Sequence, residues 1–119
     1  MAQFKHLDVK KVGVVTVASF RDQKILDDLV IQQLGEELYQ LAGEPDCENL
    51  LLNFSGVAFL SSSALGKLIT LSKKVKTNSG RLKFCQMHPK VYELFTITGL
   101  NKLFDIKKDE VSGLQAFYS

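Results

Sequence analysis

Leu50 to Gly66 reads LLLNFSGVAFLSSSALG. With Asn49 in front, its first part is the nearly unbroken apolar run Asn49-Leu50-Leu51-Leu52-Asn53-Phe54, the pattern of a strand covered on both faces. Ser55-Gly56 breaks that run. Ser61, Ser62 and Ser63 then stand in a row ahead of Leu65, Leu68, Ile69 and Val75, which share one helical stripe. Serine suits such a position because its hydroxyl oxygen accepts one of the amide hydrogens that a helix start leaves unpaired. Asn78-Ser79-Gly80 ends the helix, and Arg81 to Met87 alternates as a further strand. Strand, helix and strand in this order make a βαβ crossover, which requires parallel pairing and a right-handed path.

The same grammar extends in both directions. Residues 4–10 are a strand candidate, and Gly13 turns the chain into Val14–Phe20, a β-rich run; the two read as a hairpin. Asp22 is expected to cap the next helix, whose stripe is Leu26, Leu29, Val30, Leu34, Leu38 and Leu41 and which Gly43 and Pro45 stop. His88-Pro89 opens a third helix with the stripe Val91, Leu94, Phe95 and Thr98, closed by Gly99. Leu100, Leu103 and Phe104 form a short turn, Asp105 to Lys107 an edge strand, and residues 110–117 a last helix with Asp109 and Glu110 as its charged start. This order predicts an α/β fold: a mixed sheet of four to five strands backed by about four helices, in one domain spanning residues 1–119.

Composition narrows the functions. At 119 residues, 45% apolar and 24% charged, the chain has the make-up of one globular domain that needs no staples. A net charge of +2 is too weak for a nucleic-acid partner, and the basic run Lys73-Lys74-Val75-Lys76 with Arg81 and Lys83 reads as a solvated helix end. Cys47 and Cys85 have no metal-ligand spacing, so no metal or cofactor is expected, and Cys85 reads as a buried free thiol. No apolar stretch approaches the ~20 residues of a membrane span, which points to a cytoplasmic, reduced protein without a membrane partner. A monomer fits the apolar content, and an edge strand at residues 4–10 would allow a weak homodimer.

Leu50 to Gly66 resembles the signature of the STAS domain, the family of anti-sigma-factor antagonists and of the cytoplasmic tails of sulfate transporters. Further matches are Gly80-Arg81-Leu82, the strand to Met87, His88-Pro89-Lys90-Val91, and Thr98-Gly99-Leu100-Asn101-Lys102-Leu103-Phe104. The resemblance covers the whole chain, more loosely over residues 1–45, and implies a single stand-alone STAS domain. In antagonist members a serine at this helix start is phosphorylated by a partner kinase that is also an anti-sigma factor, and only the dephosphorylated form binds it. Carried over, this makes Ser62 the phosphoacceptor, with Ser61 and Ser63 as lesser alternatives. The implied partner interface is Ser61, Ser62, Ser63, Leu65, Lys67 and Asp22. Ser61 stands where the family has an aspartate and Ala64 where it has a glycine, which removes a charge from the helix end and points to a divergent partner.

The other constellations are poorer. Ser62, His88 and Asp105 lack the G-x-S-x-G elbow of a hydrolase, and there is no P-loop or G-x-G-x-x-G. Asp27-Asp28 and Glu36-Glu37 are adjacent on a helix and diverge by about 100°, so neither is a shared carboxylate site. His6 and His88 read as structural. The expectation is therefore a non-enzymatic, protein-binding regulator resembling an anti-sigma factor antagonist and switched at Ser62. The alternative is a non-phosphorylated scaffold, or a small-ligand or anion-sensing STAS domain, that uses the same helix start; three serines are also simply good cap residues.

Overall fold

The computed structural model describes residues 3–118. The hairpin forms between β1 (Leu7–Val12) and β2 (Val15–Phe20), which pair antiparallel from Val12↔Val15 out to Leu7↔Phe20. β1 is thus set later than residues 4–10, and Phe4 and His6 ahead of it are buried. A two-residue strand, β3 (Lys24–Ile25), precedes the first helix, α1 (Asp28–Ala42). β4 (Asn49–Asn53) runs parallel to β2, and a second two-residue strand, β5 (Phe59–Leu60), leads into α2 (Ser62–Thr77). Then come β6 (Arg81–Cys85), α3 (Pro89–Ile97), a 3-10 turn at Leu100–Lys102, β7 (Asp105–Lys107), α4 (Glu110–Gln115) and a closing 3-10 turn at Ala116–Tyr118.

The main sheet has the order β1-β2-β4-β6-β7, with every pair beyond the hairpin parallel. This is the mixed, helix-backed sheet expected, with β1 and β7 at its edges. The apolar run of β4 shows why it carries no polar alternation. Leu50 and Leu52 face the larger core with Leu34 and Leu38 of α1, Leu65 and Leu68 of α2, and Phe95 of α3. Leu51 faces the other side, in a smaller core with Val15, Val17, Cys85 and Phe117. Both faces of the strand are dry, so side chains of either parity must be apolar.

α4 closes the second face at very short range. A Cβ added at Gly113 would lie 2.9 and 3.0 Å from the two methyls of Leu51, so only glycine lets this helix lie flat on β4. Under it Cys85 is fully buried, and that burial pushes its thiol up to about 12. On the opposite face Phe20, Phe54, Phe84, Phe95 and Phe104 form one aromatic group, with Phe20–Phe54 and Phe84–Phe104 ring centroids each 4.7 Å apart. Phe20 and Phe54 sit at the carboxyl ends of β2 and β4, so this group is the floor beneath that rim of the sheet.

The start of α1 differs from expectation. Asp27, not Asp22, is its N-cap, and its carboxylate accepts the Val30 amide at 3.2 Å. The buried stripe is Ile31, Leu34, Leu38 and Leu41, while Leu26 and Leu29 are 50% and 63% exposed. The physical reason is β3: Ile25 is fully buried and its strand pairs with β5, which holds the chain extended for several residues past Asp22. A two-residue strand has no periodicity to read. In α3, Val91 and Phe95 are buried as expected, but Thr98 is exposed and its hydroxyl donates to the Leu94 carbonyl at 2.8 Å.

Candidate functional site

β2 and β4 run parallel and are each followed by a helix, so α1 and α2 both begin at the carboxyl rim of the sheet. β3 and β5 tie those two beginnings together, in parallel register Lys24↔Phe59 and Ile25↔Leu60. The Gln23 carbonyl accepts from the amides of Ala58 and Phe59 at 2.9 and 3.2 Å, and the Ile25 carbonyl accepts from the Ser61 amide at 2.9 Å. Three backbone hydrogen bonds thus fix the helix start that carries the serines.

The serines divide the work. Ser61 is the N-cap in extended backbone, φ −78° and ψ 148°, and its hydroxyl oxygen accepts from the Ser63 amide at 3.3 Å. The hydroxyls of Ser61 and Ser63 bond each other at 2.9 Å. Ser62, at the first helical position, is exposed, and its hydroxyl takes no part in that pair. The amides of Ser61, Ser63 and Ala64 are taken by the Ile25 carbonyl, the Ser61 hydroxyl and the Ser61 carbonyl, so what the first turn offers an added anion is the positive end of the helix dipole beside an unengaged hydroxyl.

The other expected contact residues have distinct surroundings. Leu65 is 4% exposed and packs into the large core, so it is a core residue rather than a contact residue; the serines ahead of it are what face outward. Ala64 is also buried there, its methyl lining the seam between α1 and α2. Lys67 is half-buried, its stem lying so close to Gly35 that a Cβ on that glycine would come within 2.8 Å of Lys67 Cδ. Tyr39 donates its hydroxyl to the Lys67 carbonyl at 3.4 Å. The seam beneath encloses only about 10 Å³, room for roughly one water.

Asp22 is not a helix cap. Its carboxylate lies 2.6 Å from Nδ1 of His6, a residue 4% exposed, and the opposite ring nitrogen of His6 is 3.0 Å from Oε1 of Gln33. Burial favours the neutral ring, but the hydrogen bonds its N–H groups donate to Gln33 and Asp22 and the charges of Asp22 and Glu37 outweigh it and raise the pKa above its ordinary value. His88 stands at the N-cap position of α3 without a side-chain cap bond, its Nε2 3.0 Å from the Ser55 carbonyl oxygen. Asp105 is held by Lys83 at 2.7 Å and Lys107 at 3.1 Å. The hydrogen bonds of His88 and Asp105 thus lead away from Ser62 and from each other.

Leu26 and Leu29, expected in the buried stripe of α1, instead lie exposed at its start, and Phe59 is exposed on β5, the strand that pairs with β3 ahead of α1. They are 50%, 63% and 49% exposed, and Lys24 Nζ lies 5.7 Å from the Phe59 ring centroid. The stripe shifts because α1 begins at Asp28, so Ile31, Leu34 and Leu38 fall at the three- and four-residue steps that face the core and Leu26 and Leu29 do not. On the far side of the rim, Asn53 steadies the loop after β4. Its Oδ1 accepts the Ser55 amide at 2.8 Å, and its Nδ2 donates to Glu110 at 2.9 Å. Among the described residues, no group of three or more His, Cys, Asp or Glu side chains is placed to hold a metal ion. No helix there is long and apolar enough to cross a membrane.

The sequence model of the STAS domain matches residues 7–113, which takes in the whole sheet and the serine-bearing helix start. The chain belongs to the STAS domain family. Among characterised relatives, the anti-sigma F factor antagonist of Paenibacillus polymyxa is 29% identical over 87 residues, 73% of this chain and 71% of that one. The anti-sigma-B factor antagonist of Bacillus subtilis is 32% identical over 82 residues, 69% of this chain and 73% of its own. Among solved structures, an anti-sigma-factor antagonist (STAS) domain protein from Planctomyces limnophilus superposes with a TM-score of 0.85 at 22% identity, covering 95% of this STAS domain and 98% of that chain. That likeness is one of fold.

Proposed function

We propose that this STAS domain is a non-enzymatic partner-switching regulator of the anti-sigma factor antagonist kind. Its protein partner, a serine kinase that doubles as anti-sigma factor or a related regulator, docks on the rim around the start of α2, and phosphorylation of Ser62 controls that docking. The carrying observation is the contrast within the serine row: the hydroxyls of Ser61 and Ser63 bond each other and that of Ser61 caps the helix, while Ser62 presents a free hydroxyl on the rim where Leu26, Leu29 and Phe59 are also exposed. The contact surface on this reading is Ser61, Ser62, Ser63 and Lys67 with those three apolar side chains, and Asp22 lies beside it. In this role the protein acts in the cytoplasm, as a monomer or a weak homodimer.

The chemistry follows from the helix start. A phosphate on Ser62 brings about −1.5 to −2 charges, and the positive end of the α2 dipole favours it there within the fold. At the surface it sets a strongly hydrated dianion among apolar side chains that would otherwise be desolvated by a partner, and burying it there is costly. The same residues would supply the anion site of a sensing domain; the exposed Leu26, Leu29 and Phe59 on the same rim favour the docking surface. The test is a pair of variants read against the cognate kinase. Ser62→Ala should bind it and escape modification, and Ser62→Asp should bind at least about tenfold more weakly, ~1.4 kcal/mol. Equal binding by the two variants, or phosphopeptide mapping that places phosphate outside residues 61–63, overturns the assignment.

A further inference from the structure

His6 is an almost fully buried histidine whose two ring nitrogens both meet oxygen. Nδ1 faces the Asp22 carboxylate at 2.6 Å and Nε2 faces Gln33 Oε1 at 3.0 Å. A neutral imidazole has one N–H and one lone pair, so it satisfies both partners only if the Gln33 amide turns round. The imidazolium satisfies both as they stand. The backbone is fastened at the same place: the amides of Lys5 and His6 donate to the two carboxylate oxygens of Glu37 at 3.0 and 2.9 Å, and the Arg21 amide donates to the His6 carbonyl at 3.0 Å. Charges facing the ring are therefore Asp22 from the loop after β2 and Glu37 from α1. Of the cations nearby in sequence, Arg21 is occupied by Asp8 at 2.7 Å, and the Lys5 side chain is exposed.

What Asp22 anchors runs directly into the candidate site. The next residue, Gln23, accepts from Ala58 and Phe59, and Ile25 accepts from Ser61. Displacement of Asp22 is thus passed through three backbone hydrogen bonds to the helix start and to the Leu26, Leu29 and Phe59 surface. We propose that His6 and Asp22 form a proton-dependent clasp that sets the position of β3 and, through it, the docking face around Ser62. With His6 charged the clasp is closed; with His6 neutral the Asp22 contact falls from an ion pair to a single neutral-donor hydrogen bond, Gln33 must turn round, and the loop carrying Asp22 loosens. His6 and Asp22 are positioning residues here, and the inference rests on the docking reading only for what the face binds. Because the ring's proton is held more tightly in the fold than in the unfolded chain, the clasp is closed below the ordinary value of 6.5 and opens as pH rises through the raised one.

The experiment is residue-resolved amide hydrogen exchange on the full chain between pH 5.5 and 9, corrected for intrinsic exchange, beside an NMR titration of the His6 ring. The expected result is that protection of residues 22–29 and 58–63 falls on the order of tenfold across the midpoint of the His6 titration, while that of β4 and β6 stays level. His6→Gln should remove this pH dependence, and Asp22→Asn should lower the ring's midpoint. A His6 midpoint below 6.5, or protection at the rim that ignores the His6 titration, overturns the proposal, and both are read on the unmodified protein without a variant. Exchange needs no partner, so the clasp and the docking surface fail separately. Equal binding by Ser62→Ala and Ser62→Asp removes the phosphoswitch and leaves the clasp standing, whereas a rim deaf to pH removes the clasp alone.

Discussion

At the start of α2, what a serine contributes depends on which amide lies within reach. Ser61 sits where its oxygen accepts the Ser63 amide, so its removal leaves a helix donor unpaired. Ser62, one residue on, already has helical backbone and points its hydroxyl to solvent. Ser61→Ala should therefore cost about 1 kcal/mol of stability, while Ser62→Ala should stay within about 0.5 kcal/mol of the parent. Urea unfolding of the two variants checks this. Equal losses would show that the cap is shared rather than held by Ser61.

Elements set the geometry that residues cannot. The rim exists because β3 and β5, each of two residues, cross-link the starts of α1 and α2. It is steadied from the far side by α4, whose first residue Glu110 receives hydrogen bonds from Asn53 and from Lys10 at 2.9 and 3.0 Å. α4 itself depends on one missing side chain. Gly113→Val would drive two methyls into Leu51 and Cys85, neither of which has solvent to retreat into. The expected loss is about 1–3 kcal/mol by urea unfolding, with the Asp109 cap and the Glu110 contacts weakened as the helix lifts. A Gly113→Val protein as stable as the parent would mean that α4 is loosely held.

Over the whole molecule, stability should form a dome in pH with two different shoulders. On the alkaline side, His6 has a raised pKa, so its contribution is complete below 6.5 and fades as pH climbs through the folded value. On the acid side, Asp105 and Glu110 resist protonation. Burial works against their charge, but Lys83 and Lys107 around Asp105, and Asn53 and Lys10 around Glu110, more than offset it. Their contributions are present above the ordinary values of 3.8 and 4.5 and are lost as pH falls through the lowered ones. Urea midpoints from pH 3 to 9 should fall at both ends, and His6→Gln should flatten only the alkaline shoulder.

The sequence by itself determined the alternation of strands and helices, the sheet with helices packed against it, and the serine row as a helix start. These follow from local causes: hydrophobic period, cap chemistry and the breaks at Gly and Pro. The unbroken apolarity of Leu50–Leu52 even announced that both faces of β4 would be covered. Asp22 and Leu65 mark the limit of such reading. Asp22 has cap chemistry, but a buried Ile25 and the β3–β5 pairing keep the chain extended past it, so Asp27 caps α1 and Asp22 meets His6. Leu65 is buried with the helical stripe it belongs to, which removes it from the contact surface the resemblance implied, while Leu26 and Leu29, read into the stripe of α1, are exposed. Which hydroxyl is free, which leucines are exposed and which carboxylate a histidine meets are pairings between segments far apart in the chain. Only the tertiary structure decides them, because each depends on the register and packing of elements that no local pattern encodes.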